Sequence, residues 1–146
     1  MTMSTIERVV ALQRVGLFAD VPGRTLAAVA QRAAEVEVTE GTPVIVEGAV
    51  EEHMYAVVRG RLRVHHGERT ITELGAGSTV GELAALVPEP RSASVMALEP
   101  TTLLRIDRPV LEELLADRPA LANGIIAALV AMLRERSRAE ADRTSA

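Results

Sequence analysis

Cysteine, lysine and tryptophan are all missing from this 146-residue chain, and Phe18 and Tyr55 are its only aromatic residues apart from histidine. Without cysteine there are no disulfides, no thiolate-bound zinc and no thiol catalysis. Without lysine there is no Schiff-base chemistry and no lysine-dependent phosphate loop; all 16 basic residues are Arg. Two rings cannot fill a core, so the core must be aliphatic. A surface that stacks nucleic-acid bases on aromatic rings is close to excluded. A formal net charge of −4, with no basic tail or stripe, also lacks the footprint of non-specific DNA binding. Apolar residues at 48 % and charged residues at 25 % fit one globular domain with a modest core. The N-terminus, MTMSTIERVVALQRV, is too charged for a signal peptide. The longest apolar stretch, Pro119 to Leu133, is interrupted by Asn123 and Gly124 and falls short of the roughly 20 residues a bilayer span takes. A cytoplasmic location is the default expectation.

The periodicity changes twice. Ser4 to Val15 places Ile6, Val9, Val10 and Leu12 among charged residues, and Ser4 with Glu7 forms a capping box. Pro22 opens a second helix carrying Leu26, Val29 and Ala30. From Ala34 the period drops to two, and short strands are expected at Val36 to Val38, Val44 to Val46, Met54 to Val58, Arg61 to His65, Arg69 to Leu74, Ala93 to Leu98 and Leu103 to Ile106. Glycines and prolines separate them, and no helix long enough to cross between parallel strands intervenes. That pattern implies a sandwich or jelly roll. Helix returns at Pro109 to Ala116 and again from Pro119 to Ser137, before a polar tail, Arg138 to Ala146, expected to fray. The reading is one α+β domain over 1–146: a helical N-terminus (4–33), a β-roll of eight strands (34–107), and two C-terminal helices (108–138).

The segment Gly81-Glu82-Leu83-Ala84-Ala85-Leu86-Val87-Pro88-Glu89-Pro90-Arg91-Ser92-Ala93-Ser94-Val95 carries the chemistry. The first N–H groups of a short helix have no intrahelical partners and face anions. Arg91 would add a planar fork of donors and a full charge. Glu82, when ionised, only accepts hydrogen bonds and so suits a ligand hydroxyl such as a ribose 2′-OH. A phosphate beside a sugar hydroxyl describes a nucleotide.

On these residues the chain resembles the cyclic nucleotide-binding domain, the family shared by the catabolite activator protein, the regulatory subunit of cAMP-dependent protein kinase and gated ion channels. The family's phosphate-binding cassette looks like F-G-E-(L/I)-A-x(6–7)-P-R-(S/A/T)-A-x-V. Here it is matched by Val80-Gly81-Glu82-Leu83-Ala84 followed by Pro90-Arg91-Ser92-Ala93-Ser94-Val95. Leu12 to Leu26 is similar to the family's opening Leu-Phe pair and short helix, and Gly41, Gly48, Tyr55 and Gly60 stand where it places its roll glycines and a hydrophobic strand. The resemblance implies a double-stranded β-helix (jelly roll) that binds cAMP or cGMP without catalysis. It implies that Arg91 meets the cyclic phosphate, that Glu82 accepts the ribose 2′-OH, and that backbone N–H groups near Leu83, Ala84 and Ser92 complete the oxygen cage. Ser92 could also give its hydroxyl to the phosphate or to the purine edge, and Gly81 would allow close backbone approach. No cofactor or metal is implied beyond the cyclic nucleotide itself. The sequence departs from the family pattern at Val80, where an aromatic is usual, and at Glu89, which would repel a phosphate if it pointed inward. The C-terminal helix has no aromatic to stack on a base.

Simpler readings stand beside these. Arg91 and Glu82 could form an internal ion pair, and the domain could be a ligand-free protein–protein or dimerisation module, alone or cut from a larger protein. His65 and His66 are adjacent on a strand, point to opposite faces and cannot share one metal; His53 stands alone, without a carboxylate–His pattern around it. Arg59, Arg61, Arg63 and Arg69 read as a solvated face balanced by Glu51, Glu52, Glu68 and Glu73. Leu121 to Leu133 is apolar nearly all round, more than a single intradomain stripe needs, and is expected to hold a homodimer together.

Overall fold

A computed structural model describes residues 2–144, apart from the side chains of Leu83, Ala84 and Thr144. Helix α1 (Thr5–Gln13) starts as expected: Ser4 Oγ accepts from the Glu7 amide at 3.2 Å and donates to Glu7 Oε1 at 3.1 Å. A single 3-10 turn, Gly16–Phe18, buries Leu17 and Phe18 and leads to α2 (Gly23–Arg32), with Pro22 at its N-cap. Arg8 of α1 donates to the carbonyls of Ala30 at 3.2 Å and Ala33 at 2.5 Å. It thereby places a cation against the negative end of α2.

Ten strands follow among the described residues: β1 (Ala34–Val38), β2 (Pro43–Ile45), β3 (Val50–Glu51), β4 (His53–Arg59), β5 (Leu62–His66), β6 (Arg69–Leu74), β7 (Thr79–Val80), β8 (Glu89–Pro90), β9 (Ser94–Ala97) and β10 (Thr101–Asp107). They form two antiparallel four-stranded sheets, ordered β1-β10-β4-β7 and β2-β9-β5-β6, and a two-stranded ribbon, β3-β8. The eight strands of the roll are present. The sequence pattern misses β3, β7 and β8 because two-residue strands carry no period. Between β7 and β8 lies the five-residue helix α3 (Glu82–Leu86).

The roll has two cores because β4 and β10 are apolar on both faces. Met54, Ala56, Leu104 and Ile106 face the helices, packing with Leu12, Phe18, Leu26, Leu111 and Leu121. Tyr55, Val57 and Leu103 face the opposite way, into the roll, with Ile45, Leu62, Val80 and Val95. Gly60, at φ +102°, lets the β4–β5 turn press on β10: a Cβ there would lie 2.6 Å from Thr101 Cα.

The C-terminal helices are α4 (Arg108–Asp117), with Asp107 at its N-cap and Pro109 in its first turn, and α5 (Pro119–Thr144), bent 112° from α4. The polar tail expected to fray instead continues α5 through Thr144. Arg134, Arg136, Arg138 and Arg143 favour helix intrinsically. No single helix among the described residues is long and apolar enough to cross a membrane. Gly124, which breaks the apolar run in the sequence, does not break the helix. It brings α5 against Asp20 and Val21, where a Cβ would lie 2.6 Å from Val21 Cγ2 and 3.1 Å from the Asp20 carbonyl oxygen. Gly124→Ala should therefore lower stability by about 1–3 kcal/mol through overpacking, despite a gain of up to about 1 kcal/mol in helix propensity. The urea midpoint of unfolding measures the balance, and a rise in midpoint would show that the helix shifts at no cost.

Candidate functional site

The site forms where the chain leaves the roll at β7, makes α3, and returns along β8. The main chain on either side of Arg91 is pinned: its N–H donates to the Ala49 carbonyl and its own carbonyl accepts from the Gly48 N–H, both at 2.9 Å. The side chain is thus directed inward, and Arg91 is only 6 % exposed. It lines a cavity of about 190 Å³ with the apolar Ile45, Val64, Val80 and Val95 and with Gly81, Glu82 and Ser92.

Arg91 Nη2 donates to the His53 carbonyl at 2.6 Å and Nη1 to the Gly81 carbonyl at 3.4 Å. Its Nε is buried and makes no hydrogen bond among the described residues; the Glu51 Oε1 it faces is 3.8 Å away, an ion-pair contact but no hydrogen bond. A buried cation given two neutral carbonyls and one distant carboxylate is incompletely compensated. An anion with several oxygens would supply what is missing.

Gly81 sits at φ +75°, and a Cβ on it would lie 2.9 Å from Arg91 Cζ and closer still to Nη1. The close approach expected at Gly81 is therefore made first by the arginine of the site itself. Glu82 lines the cavity, half-buried, with no hydrogen bond or ion pair among the described residues. It also lines a second groove, of about 440 Å³, with Leu129, Met132, Leu133 and Arg136 of α5. Ser92 is exposed at the rim. The expectation for Leu83 and Ala84 rests on backbone N–H groups of α3; their side chains lie outside the described residues.

Two of the simpler readings are altered by this geometry. The carboxylate facing Arg91 is Glu51, not Glu82. Glu89, paired with Glu51 across the β3-β8 ribbon, is exposed rather than aimed into the cavity. His53 is not alone either. Its Nε2 lies 3.1 Å from Glu51 Oε2 and 3.1 Å from the Tyr55 hydroxyl, and its ring meets the Tyr55 ring edge-on at 5.1 Å. Burial holds the imidazole below its ordinary value of 6.5, with Arg91 and Arg105 acting the same way and Glu51 and Asp107 opposing. Burial, reinforced by Glu51, likewise pushes the Tyr55 hydroxyl above 10.0.

Away from the cavity, two arginines of the expected solvated face find local partners. Arg61 pairs with Glu73 at 2.8 Å, and Arg63 donates to Thr70 Oγ1 and the Glu68 carbonyl at 2.6 and 2.7 Å. Glu51 and Glu52, assigned by sequence to that face, turn instead to Arg91 and Arg108. His66 meets Glu47 at 2.7 Å on the surface, and no cluster fit for a metal occurs among the described residues.

The roll thus holds a buried, under-satisfied arginine and a half-buried carboxylate on the lining of one cavity. Residues 35–118 match the family described as cyclic nucleotide-binding domain, and the chain belongs to that family. It is 26 % identical over 136 residues to the CRP-like cAMP-activated global transcriptional regulator of Mycobacterium tuberculosis, an alignment covering 90 % of this chain and 61 % of that protein. It is 36 % identical over 101 residues to the cyclic AMP receptor protein of Thermus thermophilus, covering 66 % of this chain and 47 % of the relative. The N-terminal domain of a transcriptional regulator from Streptomyces coelicolor superposes with a TM-score of 0.81 at 27 % identity, covering 89 % of this chain and 94 % of that one. The chain therefore spans about half to three-fifths of the two sequence relatives.

Gly81→Ala should cost about 1–3 kcal/mol of stability, from a strained positive φ and from the collision with Arg91. Part of this should return in the Gly81→Ala/Arg91→Ala double variant, giving a coupling of about 0.5–3 kcal/mol in a urea-denaturation cycle. Strict additivity would mean that Arg91 does not rest on Gly81.

Proposed function

We propose that this chain is a cyclic nucleotide sensor, with cAMP as the first ligand to test because the names of both sequence relatives carry it. The observation that supports this reading best is Arg91: a guanidinium 6 % exposed, its Nε–H without a hydrogen bond among the described residues, lining a cavity of about 190 Å³. In the proposal Arg91 takes the cyclic phosphate, Glu82 accepts the ribose 2′-OH, and Ser92 and the backbone near Leu83 and Ala84 complete the cage. The base then lies toward the α5 groove of about 440 Å³ that shares Glu82. The cavity at Arg91, about 190 Å³, is small beside ligand pockets of about 300 to 1,000 Å³, so the α5 groove that shares Glu82 would supply the remaining room.

The output passes through the C-terminal helices. The short stretch Glu51–His53 touches both ends of the route. Glu51 and the His53 carbonyl face Arg91, while the Glu52 carbonyl accepts from the Arg108 N–H at 2.7 Å, at the start of α4. Ligand on Arg91 would bias where α4 and α5 sit, shifting an existing equilibrium. In this reading the domain binds and does not cleave, and it works in the cytoplasm.

The α5 helix also supports a homodimer. Leu121, Gly124, Ile125 and Ala128 form the buried stripe, while Ile126, Val130 and Leu133 form a second stripe, 58 %, 39 % and 62 % exposed. Residues 131–143 are all exposed, so the distal half of the helix has little core to lean on. A two-fold helix pair would cover that seam. Val130→Glu or Leu133→Glu should then give a mass near one chain by light scattering coupled to size exclusion. A wild-type mass already near one chain would sink the dimer.

For the ligand, isothermal titration with cAMP and cGMP is the test. Arg91→Ala should lose about 2–5 kcal/mol, about 30-fold or more in affinity. Glu82→Ala should weaken binding through the ribose, so that 2′-deoxy-cAMP loses little further affinity in that variant. No binding by wild type at millimolar ligand would transfer the function to the ligand-free dimerisation module.

A further inference from the structure

Resting on the site reading above, we propose that Glu51 and His53 form a proton-controlled counter-ion for Arg91, so that protonating His53 frees Arg91 and tightens the binding of an anionic ligand. The argument starts from one carboxylate with two claimants. Glu51 Oε1 lies 3.8 Å from Arg91 Nε, and Glu51 Oε2 lies 3.1 Å from His53 Nε2. Glu51 is half-buried, with its side chain 29 % exposed, so its charge is only partly screened by water.

While the imidazole is neutral, Arg91 is the cation that Glu51 neutralises. Arg91 and Glu51 together then carry no net charge, and the carboxylate stands beside the atoms an incoming anion needs. Once His53 takes a proton, Glu51 has a second cation nearer than the first. The cluster gains one positive charge, and the guanidinium keeps only the neutral carbonyls of His53 and Gly81. An anion arriving then meets an uncontested arginine and an attractive field.

Among the described residues, the charged and titratable groups that face His53 are Glu51 from β3, Tyr55 from β4, Arg91 just after β8, and Arg105 and Asp107 from β10. Arg105 and Asp107 pair with each other at 3.0 Å and are neutral as a unit. Tyr55, with its hydroxyl pushed upward, stays protonated throughout the range in which His53 titrates. Burial makes the neutral imidazole the resting form near neutrality, so the change comes as pH falls below the ordinary imidazole value. By linkage the effect is reciprocal: the bound anion must also draw a proton onto His53.

The experiment titrates cAMP into wild type, Glu51→Gln and His53→Gln across the acidic to mildly alkaline range, where the cyclic phosphodiester does not change charge. Wild type should bind roughly three- to tenfold tighter at the acidic end. Glu51→Gln should bind more tightly than wild type at neutral pH and lose most of the slope. His53→Gln should be flat, and since His65 and His66 remain in it, a retained slope would assign the effect to them and overturn the proposal. A flat wild type would overturn it too. A second readout needs no ligand: the Arg91 Nε–H proton resonance should move with the His53 titration in wild type and stay still in His53→Gln. If that resonance ignores His53 the gate is wrong whatever the chain binds. If it follows His53 but cAMP never binds, the gate stands and the ligand assignment fails.

Discussion

A guanidinium held almost entirely out of water is the constraint around which this molecule is arranged. Burying a cation without full compensation is costly, and the structure answers with main-chain atoms rather than with a close carboxylate. The Ala49 and Gly48 backbone pins the Arg91 main chain, the carbonyls of His53 and Gly81 take two of its donors, and Glu51 stays beyond hydrogen-bond range. Gly81 follows from this, because any side chain there would occupy the space of the guanidinium. So does the ribbon β3-β8, short as it is, since it brings Glu51 alongside the strand that leads directly into Arg91.

The same economy appears in the central strands. Because β4 and β10 are apolar on both faces, one sheet closes the roll and seats the helices at once. His53 belongs to the polar end of the strand whose Met54 and Ala56 support the helical core. Glu52, between Glu51 and His53, accepts from the first amide of α4. Three consecutive residues thus touch both the Arg91 cavity and the start of α4.

Much of the architecture was legible in the sequence because its signals are local. Period-two alternation and interrupting glycines marked every strand of the two main sheets except β7, and Ser4 with Glu7 marked the first helix. The cassette was legible for another reason: Gly81, Glu82 and Arg91 lie on one continuous short segment and their chemistry is distinctive. What was not legible depends on pairing between distant segments. Two-residue strands have no period, so nothing in the pattern around Glu51 pointed to Arg91, and without that pairing His53 looked isolated. The role of Gly124 was not legible either, because its reason lies in Asp20 and Val21, far away in sequence. The tail after Ser137 was read from its polarity, although arginine and alanine favour helix well.

The reach of α5 gives the fold a mechanical property. The helix is seated at Gly124 and runs as helix to Thr144, a span of about 30 Å at the usual rise per residue. A tilt of about 10° at the seat would sweep its far end through about 5 Å, given that rise per residue, roughly the width of one side-chain row. A small adjustment among Val21, Gly124 and Ile125 thus becomes a displacement large enough to change which residues meet at the distal end.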